Sequence, residues 1–360
     1  MDIYVKTKQI NKHFFFKVID YDDENEKKDD DDLSKISVYN FFSINEVNIC
    51  ELINQIPYYS NNFNILYDYD FISVNQLSDK ALEKINSIYI QNNQKYLLFQ
   101  YKNIKCIKFN EYLFNISTPK IFILNVIESF SYLLNSLIKL NNKNVCFFNL
   151  SHKNIVFSLK NGNKPILTDF QKSLQLRKLN DKYISKIIEN TDDYTYKPLE
   201  VHVLFYLIHN DLQTISYSLI EEICEVYVKN LHILSLFSQN YKESYKLLCV
   251  KSLEKYINKT KLEIVNDIIE RNQTWDNYSL SVLYIHIIGN ISRVFMLKNT
   301  FLSRLTIELI KNINPDSSKR ENLETTLINY EKLYNEFKDW SFINKIPIKK
   351  MEKLFQILSE

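Results

Sequence analysis

Only two of the 360 residues are glycine, Gly162 and Gly289. Glycine accepts positive φ and lets a backbone approach a ligand with no Cβ in the way. A chain this poor in glycine has almost no ordinary means of wrapping a phosphate in backbone N–H groups. It does carry one clear turn. In CFFNLSHKNIVFSLKNGNKPILTDF, residues 146–170, the strand-like runs NIVFSLK and KPILTDF flank NGN. Asn161-Gly162 is a strong hairpin signal, because both central positions of that turn favour positive φ. Asn149, Asn154 and Asp169 stand at the ends of the two runs.

Size and composition permit a packed core and more than one lobe. The chain is 45% hydrophobic and 24% charged, with a net charge of +2. That balance gives no general attraction to nucleic acid or to an acidic membrane surface, so neither is expected as a partner. No run of eighteen or more apolar residues occurs, so no membrane-spanning helix is expected. The start, MDIYVKTKQINKHFFFKV, lacks a signal peptide's apolar stretch, and a cytoplasmic location is expected. The five cysteines are scattered and never in C-x-x-C pairs, which fits reduced core thiols better than disulfides or zinc.

Along the chain, residues 3–19 read as strands and the acidic run 20–32 as a solvated loop. SINEVNICELINQI reads as a helix capped by Ser43, with Glu46 in a capping box and Pro57 beyond its end. FNILYDYDFISV and KYLLFQYKNIKCIKF read as further strands. From Ser117 the texture turns helical. Ser117 or Thr118 caps, Pro119 opens, and a broad apolar stripe runs Phe122, Val126, Ile127, Phe130, Leu133, Leu134, Leu137. From about residue 198 helical patterns dominate. The fold class is α+β: a small β-rich front lobe, residues 1–110, and a large helical rear lobe, residues 111–360.

A long buried helix, a short polar loop, a hairpin and an Asp at its end follow the order of the protein-kinase catalytic core. FFNLSHKN, residues 147–154, resembles the loop H-R-D-x-x-x-x-N, and DFQ, residues 169–171, resembles D-F-G. YTYKPLEVH resembles the A-P-E segment with Glu200, TWDNYSLSVLYIHII the helix with its buried Asp, here Asp276, and NPDSSKR the late segment with Arg320. Over roughly residues 10–335 the chain therefore resembles the eukaryotic-type protein kinase superfamily. It looks most like the divergent serine/threonine kinases of large DNA viruses, which would place it in host cytoplasm or virion.

The resemblance implies a two-lobed kinase-like fold and a set of roles. Lys17 would hold nucleotide phosphates and Glu46 would hold Lys17. Asn154 and Asp169 would hold Mg²⁺ beside ATP, if nucleotide binding is retained, and Asn149 would stand where the catalytic base stands. Glu200, Arg320 and Asp276 would be structural. The departures are as informative. An amide at 149 cannot accept a proton at neutral pH, Ser151 stands where many kinases have a Lys, Gln171 replaces a Gly, and no glycine-rich loop exists. These losses favour a pseudokinase acting as a binding or regulatory module on a protein partner. The alternative is an active but atypical ATP-dependent serine/threonine kinase with a protein substrate. An aminoglycoside-kinase-like phosphotransferase fits YKPLE, TWD and SKR less well. The helical segment 203–273 exceeds what a kinase core needs; it is the best candidate for a partner surface, with simple extra packing the equal alternative.

Overall fold

The computed structural model describes residues 4–10, 13–19, 32–72, 95–114, 118–160, 162–191, 193–345 and 350–359. The strands are β1 (Tyr4–Ile10), β2 (His13–Ile19), β3 (Asp32–Val38), β4 (Leu66–Ile72), β5 (Tyr96–Lys102), β6 (Cys106–Lys108), β7 (Val145–Cys146), β8 (Ile155–Ser158), β9 (Lys164–Leu167) and β10 (Leu174–Gln175). The chain divides into two compact units, residues 1–112 with 152–173, and residues 113–151 with 174–360. The segment 152–173, read in the sequence as part of the helical lobe, thus belongs with the β-rich front. The cause is β6, which pairs antiparallel with β8, which pairs with β9.

The first unit holds a five-stranded antiparallel sheet in the order β1-β2-β3-β5-β4. β3 is a strand that sequence reading missed. It lies between β2 and β5, and Leu33, Ser34, Lys35 and Ile36 are all buried, so no polar–apolar alternation marks it. The acidic run read as a loop falls mostly on residues 20–31, outside the described residues, and Asp32 already belongs to β3. Helix α1 (Phe41–Asn54) begins two residues earlier than its expected cap. Asn40 is the N-cap and accepts from Phe42 N and Ser43 N, while Ser43 Oγ accepts from Asn40 N. Asn is at least as good a cap as Ser, and Ser43 three positions on completes the box. Glu46 is thereby released from capping and faces the interior.

The β8–β9 hairpin forms as expected, with a difference at its tip. Ser158 pairs with Lys164, so the loop is residues 159–163 rather than a two-residue turn. Gly162 at φ +66 and Asn163 at φ +58 are its left-handed residues, and Asn161 lies outside the described residues. Elsewhere the shortage of glycine is met mainly by Asn and Asp. Asn144, Asn163, Asp169, Asp211, Asn258 and Asn299 adopt positive φ, as short polar side chains tolerate, and among the described residues only Tyr58 and Phe148 of this kind are bulky.

The second unit is helical. Its helices include α3 (Pro119–Asn141), which follows the short α2 (Phe109–Phe114) of the first unit in sequence. Then come α4 (Asp181–Glu189), α5 (Leu199–His209), α6 (Tyr217–Asn230), α7 (Gln239–Leu253), α8 (Lys261–Glu270), α9 (Trp275–Val294), α10 (Phe301–Asn312), α11 (Leu323–Glu336) and α12 (Met351–Ser359). Thr118 caps α3 and Pro119 opens it, as expected. By length and composition α3 is apolar enough to cross a membrane, contrary to the reading from uninterrupted runs. Its stripe from Phe122 to Leu140 is buried in this unit, which accounts for the apolarity as core.

Sixteen of the twenty residues of α9 are buried. Ser129 Oγ of α3 lies 2.7 Å from Tyr284 Oη of α9, and Tyr330 Oη of α11 donates to Ile127 O at 3.2 Å. All five cysteines are free thiols, with Cys106 half-buried and the others buried. A Cβ built at Gly162 meets nothing within 4 Å, so Gly162→Ala carries only the backbone cost of a left-handed alanine. Urea unfolding of that variant is expected to show a loss of about 1 kcal/mol, without a change in m-value.

Candidate active site

In the first unit the chemistry collects around Glu46. Its carboxylate is only 3% exposed, yet both oxygens are matched: Lys35 Nζ donates to Oε2 at 3.2 Å and Tyr101 Oη donates to Oε1 at 2.8 Å. The β3–β5 register builds this arrangement. Lys35 lies opposite Phe99 and Leu33 opposite Tyr101, so Lys35, Phe99 and Tyr101 share one face of the sheet. Lys35 Nζ also lies 5.7 Å from the centre of the Phe99 ring. Burial, with Glu46 beside it, pushes the Tyr101 hydroxyl well above its ordinary value, so it stays a neutral donor.

This corrects the pairing expected for Glu46. Among the described side chains the lysine that meets it is Lys35 on the third strand, eleven residues earlier, where the sequence pointed to Lys17 on the second. Lys17 pairs with Lys6 in the β1–β2 register. Two full strands, β1 and β2, therefore precede Lys35. β1 and β2 run in register to Ile10↔His13, so only Asn11 and Lys12 connect them, and neither is glycine.

Asn154 and Asp169 flank the same end of the β8–β9 hairpin. Thr168 N donates to Asn154 O at 3.0 Å, one step beyond the Ile155↔Leu167 pair. Both residues are buried, and Asp169 adopts φ +67. Phe170 is buried and meets the Phe63 ring edge-on at 6.1 Å. The backbone after it is tied to α1: Asn45 Nδ2 donates to Gln171 O at 2.9 Å and to Ser173 O at 2.8 Å. One carboxylate and one amide oxygen suit Mg²⁺, a hard cation that takes few protein oxygens and completes its shell with water and phosphate. Among the described residues no group of three or more His, Cys, Asp or Glu could hold a metal ion.

In the second unit the loop carrying Asn149 is a strained turn under restraint. Asn149 N donates to Phe147 O at 2.6 Å across Phe148, whose φ is +58. A three-residue turn of that hand is rare and costly for a bulky residue. Asp276, the second residue of α9, holds it: Oδ2 accepts from Phe147 N and Oδ1 from Phe148 N, both at 2.7 Å. Lys197 Nζ donates to Phe148 O and lies 3.9 Å from the centre of the Phe148 ring. Burial raises the Asp276 carboxyl above its ordinary range, while the two backbone donors pull the other way. Asn149 itself is half-buried.

Glu200 and Arg320 meet as expected. Arg320 Nη2 donates to Glu200 Oε1, which also accepts from Trp275 Nε1 at 3.0 Å. The sites in the two units thus divide the expected residues. Glu46, Asn154 and Asp169 belong to the first, and Asn149, Glu200, Asp276 and Arg320 to the second. Sequence reading missed Lys35, Asn45, Tyr101 and Lys197. Only Lys35 had a visible signal, as the basic residue in the run just before the helix.

No family model matches the chain, and no curated protein matches it. Among solved structures it is similar to the twitchin kinase region from C. elegans, a structure described as Fn31-NL-kin-CRD-Ig26. The identity is 12% and the TM-score 0.46. The superposition covers 99% of this chain and 52% of that one, so this chain spans about half its length.

Two consequences in the second unit are measurable. Arg320→Met leaves the Glu200 carboxylate buried without its cation, and equilibrium unfolding is expected to show a loss of about 3–5 kcal/mol. Burial lowers the His202 pKa from 6.5 to about 4. The unfolded chain therefore takes up this proton first as pH falls through that window, and stability is lost. Between pH 7 and pH 5 the loss from this residue is about 2 kcal/mol, read as the part of the wild-type pH dependence absent from His202→Gln.

Proposed function

We propose that this chain is a protein-kinase-like, nucleotide-binding protein whose phosphoryl transfer is impaired and which acts as a binding or regulatory module. The observation that carries the reading is the buried Lys35–Glu46 pair, set on a third strand and the following helix of the unit that also holds Asn154 and Asp169. Lys35 would hold the nucleotide's phosphates, and Glu46 orients Lys35. Asn154 and Asp169 would hold Mg²⁺, which supplies positive charge beside the phosphate oxygens. Asn149 would orient an acceptor hydroxyl by hydrogen bonding, since an amide is not a base at neutral pH.

The impairment follows from three losses. Removing a general base costs about 10²–10⁴ in rate. The β1–β2 connection of Asn11 and Lys12 supplies no glycine backbone to cover phosphates. Gln171 replaces the glycine after Asp-Phe, and its carbonyl is tied to Asn45. The alternative, a slow but real kinase, is favoured by the retained turn at Phe148, which holds Asn149 on a strained, doubly anchored loop. The finer likeness, to divergent kinases of large DNA viruses, rests on Pro198-Leu199-Glu200-x-His202, the segment 203–273 and NPDSSKR.

Binding of ATP with Mg²⁺ is expected by calorimetry. Lys35→Met should weaken it at least about tenfold, the scale of losing one charged contact to phosphate, while Lys17→Met leaves it unchanged. Labelled-ATP transfer to a generic acceptor is expected near background in wild type and about 10²-fold higher in Asn149→Asp, which restores the base. Wild-type transfer at ordinary kinase rates, lost in Asp169→Ala, would overturn the impaired reading.

A further inference from the structure

Two residues that neither the sequence motifs nor the proposed roles include converge on α1. Tyr101 Oη holds Glu46 Oε1, the oxygen that Lys35 leaves, and Asn45 Nδ2 holds the carbonyls of Gln171 and Ser173. Asn45 and Glu46 are neighbours on one turn of α1, so a single stretch of helix is bonded in two directions. Through Glu46 it is bonded to β3 and β5, and through Asn45 to the backbone that follows Asp169. Asn45, Glu46 and Tyr101 are all at most 4% exposed. Displacing α1 would break the four bonds together and strand a carboxylate and an amide away from water, which is the costly outcome for buried polar groups. In kinases the position of this helix is commonly the switch that makes or breaks the Lys–Glu pair. Here a phenol and an amide do what nucleotide or phosphorylation would otherwise have to do.

We propose that Tyr101 and Asn45 are positioning residues that keep Glu46 on Lys35, and the Asp169 segment on α1, whether or not nucleotide is bound. The site is therefore permanently assembled. Gln171 is compatible with this, because a backbone tied at its carbonyl has no need of a glycine's freedom to flip. The proposal rests on the reading of Lys35 as the nucleotide lysine only for its consequence on affinity. The bonding itself belongs to the protein without ligand.

Hydrogen exchange of the full chain, read by mass spectrometry with and without Mg²⁺ and a non-hydrolysable ATP analogue, tests it. The amides of α1 and of residues 171–175 are expected to be protected without nucleotide and to change less than about twofold when it is added. Tyr101→Phe keeps the ring and removes only the hydroxyl. It is expected to speed exchange in α1 about tenfold, leave β3 and β5 protected, and lower analogue affinity only in proportion to the fall in the assembled fraction, which is smaller than the rise in exchange. Asn45→Ala is expected to speed exchange in α1 and in 171–175 alike, and carries the test if Tyr101→Phe does not fold. A merely structural tyrosine would raise exchange across the whole sheet and leave the affinity of the folded protein unchanged. Protection of α1 that arises only with the analogue, or variants that exchange and bind like wild type, would overturn the proposal. If the analogue binds no form of the protein, the nucleotide reading fails, and the ligand-free exchange pattern still decides whether the clamp exists.

Discussion

A carboxylate taken out of water has to be matched oxygen by oxygen, and in the first unit that requirement falls on Glu46. Its two partners come from two neighbouring strands, Lys35 on β3 and Tyr101 on β5, so the pair is formed only when those strands are in register. The helix that carries Glu46 then has one place to lie, and Asn45 beside it fixes the backbone after Asp169. The backbone that follows Asp169 is thus tied to the same turn of helix that carries this one match. A buried ion pair of this kind is weak as a source of stability but strong as a source of geometry, because any other arrangement leaves a charge unsatisfied.

The second unit solves a related problem with a different carboxylate. Phe148 is held at positive φ without being glycine, asparagine or aspartate. Such a conformation persists only where its surroundings over-determine it. Asp276 takes the N–H groups of Phe147 and Phe148, and Lys197 takes the carbonyl of Phe148. The turn is thus held by two side chains immediately before Asn149, whose amide cannot accept a proton at neutral pH.

How much of this was legible in the sequence depended on whether the signal was local. The buried helix from Pro119, its Thr118 cap, the β8–β9 hairpin, the Glu200–Arg320 pair and the Asp276 anchor could all be read, because each rests on a motif or a period written along the chain. β3 could not, since a strand buried on both faces shows no alternation, and without it the lysine was placed on the wrong strand. The cap of α1 was placed at Ser43 because Ser-x-x-Glu is a familiar box. Asn40 made a second box that released Glu46 for the interior.

The sequence by itself determined the elements and the inventory: a β-rich first part, a helical second part, two oxygen-bearing side chains flanking a hairpin, an amide at position 149, and only two glycines. Those follow from residue type and spacing, which act over a few residues. The tertiary structure alone decided which lysine meets Glu46, that Tyr101 closes the other half of that carboxylate, that Asn45 reaches residues 171 and 173, and that segment 152–173 joins the first unit. Each of these depends on strand order and register, set by burial and backbone pairing summed over the whole sheet, and no short stretch of sequence carries that sum.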